Sequence, residues 1–265
     1  DYGRKFWADE YRLNAKIADY PKPYIAFMQG FTMGGGVGVS CHGSHRIVCD
    51  NSQIAMPECG IGLVPDVGGS LLLARAPGHL GAFLGLTASR MGPGDAIRAG
   101  FADHFVSRDR WPALIGQLET SGDADLVRIF ASSETAPDPV FDLADINALF
   151  AAPTLPAIIA ALQSAQTPFA RDAAQAIGRV SPLSAACTLR LIAEARAANS
   201  IQAALRHEYR FTYRSAEHGD FIEGIRAAII DKDRTPHWRH ASAEQVTDDD
   251  ISHMLAPLGD ADLTL

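Results

Sequence analysis

"YIAFMQGFTMGGGVGVSCHG", residues 24–43, joins a short apolar run to three consecutive glycines. The run "YIAFMQG" is apolar throughout rather than alternating, which is typical of a strand buried on both faces. Glycine loses more backbone freedom on folding than any other residue, so a triplet indicates a tight turn or a close approach to the backbone. The segment "VGVSCHG" that follows predicts a short helix.

Further apolar runs after this segment predict buried strands at 45–50, 52–58 and 103–107. Helical patterns occur before the first strand, at 5–19, and after the third, at about 70–76 and 81–86. Strands that alternate with helices through short glycine-rich joins predict parallel βαβ units, and hence an α/β fold. From residue 110 to 230 the pattern changes to successive amphipathic helices. We therefore expect an α/β core over residues 1–107 and a helical region over residues 108–265.

Composition narrows the class of partner. The 265 residues are 47% hydrophobic and 20% charged, as in ordinary globular proteins. The net charge of −8 argues against nucleic acid or an anionic membrane as the main partner. No apolar stretch is long enough to cross a bilayer. The four cysteines lack metal-ligand spacing, and a reducing compartment is the favoured environment.

The glycine triplet has two interpretations. Neither common phosphate-loop pattern, G-x-x-x-x-G-K-[ST] or G-x-G-x-x-G, is present in register. Backbone N–H groups at Gly35 and Gly36 could instead stabilise an oxygen that becomes negative during a reaction, in an oxyanion hole. A tight turn under close helix–strand packing is equally compatible with the triplet.

A pair of acids follows in "AMPECGIGLVPDVGG", residues 55–69. Glu58 lies where a predicted strand ends, and Asp66 lies in the loop beyond. Strand ends of α/β sheets face the usual ligand crevice. Apolar neighbours would desolvate Glu58 and raise its pKa, which suits a general base. Taken alone, a glutamate such as Glu58 is more often a helix cap or a solvated loop acid.

Together these segments resemble the crotonase superfamily and, within it, the 3-hydroxyisobutyryl-CoA hydrolases. The resemblance rests on "EYRLN" (10–14), "KPYIAFMQGFTMGGGVGVSCHGSHRIV" (22–48), "AMPECGIGLVPDVGGS" (55–70) and "DFIEGIRAAIIDKD" (220–233). It implies a crotonase core, a spiral of ββα units, followed by a helical region that completes an acyl-CoA site. The opening "DYGRKF" has no initial Met, and the resemblance implies that the first part of the fold is missing from this chain.

The resemblance also implies an activity: hydrolysis of a short hydroxyacyl-CoA thioester, with 3-hydroxyisobutyryl-CoA as the expected substrate, in valine breakdown. CoA would be part of the substrate, and no separate cofactor is expected. Gly35 would supply one oxyanion-hole amide, and the second would come from the missing N-terminal segment. Glu58 would act as base or nucleophile. Asp66 would bind the substrate's 3-hydroxyl or help to position water, and Glu10 would lie nearby in the acyl pocket. Gly36 would adjoin the substrate, and Lys232 is a candidate phosphate contact.

Alternative functions stay open at this point. Hydratases of the superfamily carry a second glutamate two residues after the triplet, where this chain has Gly38, and glycine where it has Asp66. Because water addition needs both an acid and a base, this pattern favours the hydrolases. A hydratase or isomerase acting on another acyl-CoA, or a non-catalytic CoA-binding paralogue, are the alternatives.

Other residues with reactive side chains are expected to be structural. The run Ser40–Cys41–His42 departs from the G-x-S-x-G nucleophile pattern, so packing is the favoured interpretation. His42 and His45 lack a third metal ligand at usual spacing, so no metal is expected. A homo-oligomer is possible. A bacterial cytoplasm is favoured over a mitochondrial matrix.

Overall fold

The structure, a computed structural model, describes residues 2–265 and shows a mixed α/β fold. Strands β1 to β5 cover Ile25–Met28, Phe31–Met33, His45–Val48, Gln53–Ala55 and His104–Phe105. Helices α1 to α14 cover Tyr2–Ala18, Gly35–Ser40, Gly69–Arg75, Leu80–Thr87, Pro93–Arg98, Trp111–Ser121, Asp125–Ala131, Leu143–Leu149, Leu155–Ala165, Pro168–Ile177, Pro182–Ala198, Ile201–His218, Phe221–Ile225 and Asp248–Leu255.

The strands form two small parallel sheets. One has the order β1-β3-β5, and the other pairs β2 with β4. In register, Ile25 lies opposite His45 in the first sheet, and Phe31 lies opposite Gln53 in the second. The first two passes along the chain therefore each add one strand to each sheet before a helix, as in the predicted ββα spiral, and β5 extends the first sheet alone.

The strand predicted over 24–30 ends earlier than expected, and β2 was not predicted. Gly30 has a φ of +61°, a left-handed conformation that redirects the chain into the second sheet. Its carbonyl accepts a hydrogen bond from the N–H of Gln53 at 2.7 Å, which starts the β2–β4 pairing. Strand β2, with the sequence "FTM", has only three residues, which is too short for a recognisable strand pattern.

The helical prediction for residues 110–230 is correct in kind but incomplete. Helices α6, α9, α11 and α12 coincide with the predicted patterns, and α7, α8 and α10 lie between them. Helix α5 was missed although Pro93 occupies its first position, a common helix start.

One hydrophobic core joins the α/β part to the helical part. It includes Tyr11 from α1, Met28 from β1, Ile158 from α9 and Leu205 from α12. Smaller clusters fill the space between the first sheet and α6–α7, and between α11, α12 and α14. The division into regions 1–107 and 108–265 stays a prediction about domain organisation.

The short 3-10 turn Glu58–Ile61 is packed directly against α13. A Cβ on Gly62, which has a φ of +73°, would lie 2.5 Å from the carbonyl oxygen of Asp220. A Cβ on Gly224 would lie 2.1 Å from the carbonyl oxygen of Ile61. These two glycines allow backbone to meet backbone, so the position of the turn depends on the helical part of the chain.

In residues 2–265, no helix combines the length and apolar character needed to cross a membrane. All four cysteines are buried free thiols.

Candidate active site

The glycine triplet forms the start of α2. Gly34 is the N-cap, with a φ of +53°, and Gly35 is the first helical residue. An N–H at the first position of a helix has no intrahelical partner, and Gly34 offers no side-chain cap. Gly35 is also exposed. Its amide is therefore available to an incoming hydrogen-bond acceptor.

Two carboxyl groups flank this turn. An ideal Cβ on Gly35 would lie 2.8 Å from Oε1 of Glu10, and one on Gly34 would lie 3.4 Å from Oε1 of Glu58. Glu10 comes from α1 and is half-buried, and its burial raises its pKa. A side chain at position 35 would displace the Glu10 carboxyl, so close approach accounts for the glycine there.

Glu58 is buried at the end of the second sheet. It is the first residue of the 3-10 turn after β4, it is 4% exposed, and its Oε2 has no hydrogen-bond partner. Burial raises the pKa of Glu58 well above its usual range, and the negative charges of Asp66 and Glu208 raise it further. A carboxyl with a raised pKa is a stronger base once ionised, as a general base requires.

Asp66 completes the site from the loop before α3. The hydroxyl of Tyr11, a fully buried residue on α1, donates a 2.7 Å hydrogen bond to Asp66 Oδ2. Burial raises the pKa of Asp66 to about 8; the Tyr11 hydrogen bond opposes this, and the charges of Glu208 and Glu10 add to it. Glu10 and Glu58 thus approach the glycine turn, and Asp66 interacts electrostatically with both of them.

Two other residues predicted for the site, Gly36 and Lys232, lack the close contacts described above. A Cβ on Gly36 would meet only Thr32 Cγ2, at an ordinary 3.7 Å, so crowding does not require glycine there. Lys232 lies on an exposed segment with a φ of +59° and makes none of the contacts that join the other site residues. Its phosphate contact stays a prediction.

The Ser40–Cys41–His42 run is structural in its contacts. Cys41 is buried against Met28, and burial raises the pKa of its thiol to about 12. The His42 ring donates through Nε2 to the carbonyl oxygen of Val67, at 2.7 Å. In residues 2–265 no group of three His, Cys, Asp or Glu side chains is arranged to hold a metal ion.

The prediction from sequence missed Tyr11, Glu208 and the role of His42. Tyr11 lies in the helix predicted over residues 5–19, whose apolar pattern accounts for its buried ring but not for its hydroxyl. Glu208 follows Ala204 and Leu205 at helical spacing on the buried face of α12. An acid at an apolar position of an amphipathic helix was the signal that could have identified it.

Gly38 lies in tightly filled space. A Cβ there would be 2.7 Å from Asn14 Nδ2 and 2.7 Å from Val67 Cβ. A glutamate at this position would need both neighbours to move. The packing thus disfavours a second acid at position 38 of α2. Glu58 and Asp66 are then the buried acids predicted for the site.

We expect Gly38→Ala to lower the free energy of unfolding by about 1–3 kcal/mol, because the added methyl overpacks a filled site. Urea denaturation followed by circular dichroism measures this. Gly116→Ala is the matched control, since Gly116 lies in α6 with no atom within 4 Å of its Cβ position. The control should gain up to about 1 kcal/mol from helix propensity. Equal stability of Gly38→Ala and wild type would show that Asn14 and Val67 yield easily.

Comparison with known proteins agrees with this fold. The family model described as enoyl-CoA hydratase/isomerase matches residues 1–255. The chain belongs to the enoyl-CoA hydratase/isomerase family, whose members include enzymes acting on CoA thioesters, and the predicted crotonase fold is confirmed.

Particular relatives within this family are hydrolases by name. The chain is 40% identical to the mitochondrial 3-hydroxyisobutyryl-CoA hydrolase of Mus musculus, over 96% of the chain and 69% of the relative. It is 38% identical to that of Homo sapiens, over 97% of the chain and 69% of the relative. The predicted resemblance to this branch is thereby confirmed.

Solved structures carry other names on the same fold. An enoyl-CoA hydratase from Rhodobacter sphaeroides is 52% identical, with a TM-score of 0.91, over all of this chain and 77% of that one. A carnitinyl-CoA dehydratase from Mycobacterium thermoresistibile is 41% identical, with a TM-score of 0.89, over 98% of this chain and 75% of that one.

Proposed function

We propose that the protein hydrolyses the thioester of a short hydroxyacyl-CoA, with 3-hydroxyisobutyryl-CoA as the expected substrate, to the free acid and CoA. The observation that carries this proposal is the burial of two electrostatically linked acids, Glu58 and Asp66, with Glu58 close to the glycine turn that exposes Gly35. The names of the relatives in mouse and human support the substrate class. The substrate's CoA is consumed as a leaving group, so no separate cofactor is required.

In the proposed reaction, the Gly35 N–H donates to the thioester oxygen and stabilises the negative charge that develops there. In one route, Glu58 takes a proton from water as the hydroxide adds to the carbonyl carbon. The tetrahedral intermediate then expels CoA thiolate, which receives the proton. In the other, a Glu58 oxygen attacks, CoA leaves, and water hydrolyses the resulting mixed anhydride.

Asp66 is proposed to bind the substrate's 3-hydroxyl group or to position the water. Its carboxyl is fixed by the Tyr11 hydroxyl, which restricts the geometry of any second hydrogen bond. Glu10 would border the acyl group on the other side of the Gly35 amide. These roles follow from the contacts around the turn and from the resemblance to the hydrolase branch.

The name of the Rhodobacter sphaeroides structure supports a second candidate, hydration of an enoyl-CoA. The packing around Gly38 weighs against it, because hydration needs a second acid–base group and the structure leaves no space for one at position 38.

The test is a panel of short acyl-CoA thioesters incubated with the chain, with free thiol followed by a chromogenic thiol reagent. We expect release of free thiol from 3-hydroxyisobutyryl-CoA. 3-Hydroxypropionyl-CoA should react more slowly but measurably, because the missing methyl group is worth only about 1–3 kcal/mol. Loss of enoyl-thioester absorbance without thiol release would instead establish the hydratase. CoA binding without either reaction would indicate a binding protein.

A single turnover in ¹⁸O-labelled water distinguishes the two hydrolytic routes. A mixed anhydride should leave ¹⁸O label in the Glu58 carboxyl. Hydroxylamine should also trap the anhydride as a hydroxamate. Absence of both supports activation of water by Glu58.

A further inference from the structure

The loop that carries Asp66 has an unusual backbone. Val67 has a φ of +53° and Gly68 a φ of +80°, so two consecutive residues are left-handed. A β-branched residue rarely adopts this conformation, and it persists only where the surroundings hold it. A Cβ on Gly68 would lie 2.5 Å from Ile201 Cδ1 and 2.6 Å from His42 Nε2, so the loop is enclosed on both sides.

Helix α3 begins directly after this loop without a local cap. Its N-cap residue is Gly68, which has no side chain to accept from the first N–H groups. Glu208, on α12, accepts from the N–H of Gly68 at 2.7 Å and from that of Ser70 at 3.0 Å. The Ser70 hydroxyl donates to the same carboxyl group. The cap thus comes from a residue 140 positions away in the sequence.

Glu208 is completely buried, and all three of its hydrogen-bond partners are donors. Such a set satisfies an ionised carboxylate, which only accepts. Burial raises the pKa of Glu208 to about 7, and the three hydrogen bonds oppose that rise. In its ionised form, Glu208 therefore places a buried negative charge beside the Asp66 loop.

We propose that Glu208 is a positioning residue for Asp66: it fixes the strained 66–70 segment through three hydrogen bonds and places a buried negative charge beside the Asp66 carboxyl. This proposal deepens the proposed hydrolase function and rests on it for the catalytic consequence alone. Tyr11 and Glu208 act on the loop from opposite ends, one on the Asp66 side chain and the other on the backbone that follows it.

The charge of Glu208 acts on several groups. Those that interact with it electrostatically are Tyr11 on α1, Glu58 and Asp66 on the two loops, and His207 on its own helix. Glu208 raises the pKa of both loop acids, and among the charges acting on Asp66 its effect exceeds that of Glu10. Removing it should let Asp66 ionise at lower pH.

The experiment compares Glu208→Gln with wild type by carbon NMR of protein labelled at the aspartate carboxyl carbon, without substrate. Asp66→Asn identifies the Asp66 signal. We expect the Asp66 titration midpoint to fall in Glu208→Gln by about one pH unit, as for loss of a like charge nearby. In the thiol-release assay, the acid limb of kcat/KM should move to lower pH by a similar amount. A role in stability alone would move neither.

Glu217→Gln is the matched control, because Glu217 lies on the same helix but is exposed and pairs with Arg4. It should leave the Asp66 midpoint unchanged. An unchanged midpoint in Glu208→Gln would overturn the proposal even if the protein is an active hydrolase. Wild-type protein without thiol release would overturn the function but leave the NMR result to decide the role of Glu208.

Should Glu208→Gln not fold, Ser70→Ala gives a milder test. It deletes one donor to Glu208, which raises the pKa of Glu208 and weakens its charge near neutral pH. The Asp66 midpoint should fall, by less than in Glu208→Gln, and kcat should drop several-fold. A midpoint and a kcat both equal to wild type would contradict the proposal.

Discussion

Replacing Glu58 with glutamine is expected to lower kcat for thiol release by about 10²–10⁴-fold, the range typical of a removed general acid–base group. Glutamine has nearly the same size as glutamate, so the buried site keeps its shape. It can neither take a proton from water nor attack the thioester. The loss should fall on kcat, with KM little changed, because the group acts on the reacting atoms.

Stability distinguishes this effect from unfolding. A neutral amide replaces an acid that is buried at 4% exposure with an unpartnered Oε2, so Glu58→Gln should be at least as stable as wild type. Glu119→Gln, an exposed acid-to-amide change on α6, is the activity control and should keep wild-type kcat. Retention of more than a tenth of wild-type kcat by Glu58→Gln would remove Glu58 from the mechanism.

The second large effect is expected for Gly35→Pro compared with Gly35→Ala. Proline is favoured at the first position of a helix, where its missing N–H costs no intrahelical hydrogen bond. Gly35 occupies that position in α2. The proline variant therefore deletes the proposed oxyanion donor while keeping the helix, and kcat should fall by about 10²–10³-fold relative to the alanine variant.

Gly35→Ala is the necessary reference because it keeps the N–H and adds only the Cβ. That Cβ would lie 2.8 Å from Glu10 Oε1, so the half-buried Glu10 side chain must move, and KM should rise. Steady-state kinetics with one hydroxyacyl-CoA separate the two effects. Equal kcat in the two variants would mean that the Gly35 amide does not contact the developing oxyanion.

The glycine turn and its two acids could be predicted from sequence because each lies at a local boundary. Gly35 follows β2, Glu58 begins the turn after β4, and Asp66 occupies the next loop. Such positions are recognisable from apolar runs and glycine punctuation alone. The spiral fold followed from the same signals, aided by resemblance across most of the chain.

The supports of the site were not predictable in this way. Glu208 reaches Gly68 across 140 positions, and neither residue has a local pattern that points to the other. The Tyr11–Asp66 hydrogen bond spans 55 positions and joins α1 to a loop. The short strand β2 depends on the conformation of Gly30, which the sequence permits but does not require. Long-range contacts decided each of these features.

The two acid-bearing segments are anchored to different helices. The N–H of Ser181, at the start of α11, donates to the Cys59 carbonyl oxygen at 3.0 Å, whereas the Asp66 loop is held from α12. The separation between the two acids therefore depends on how α11 and α12 pack against each other. Mild heating that loosens the packing of α11 against α12 should abolish catalytic activity while both sheets are still intact.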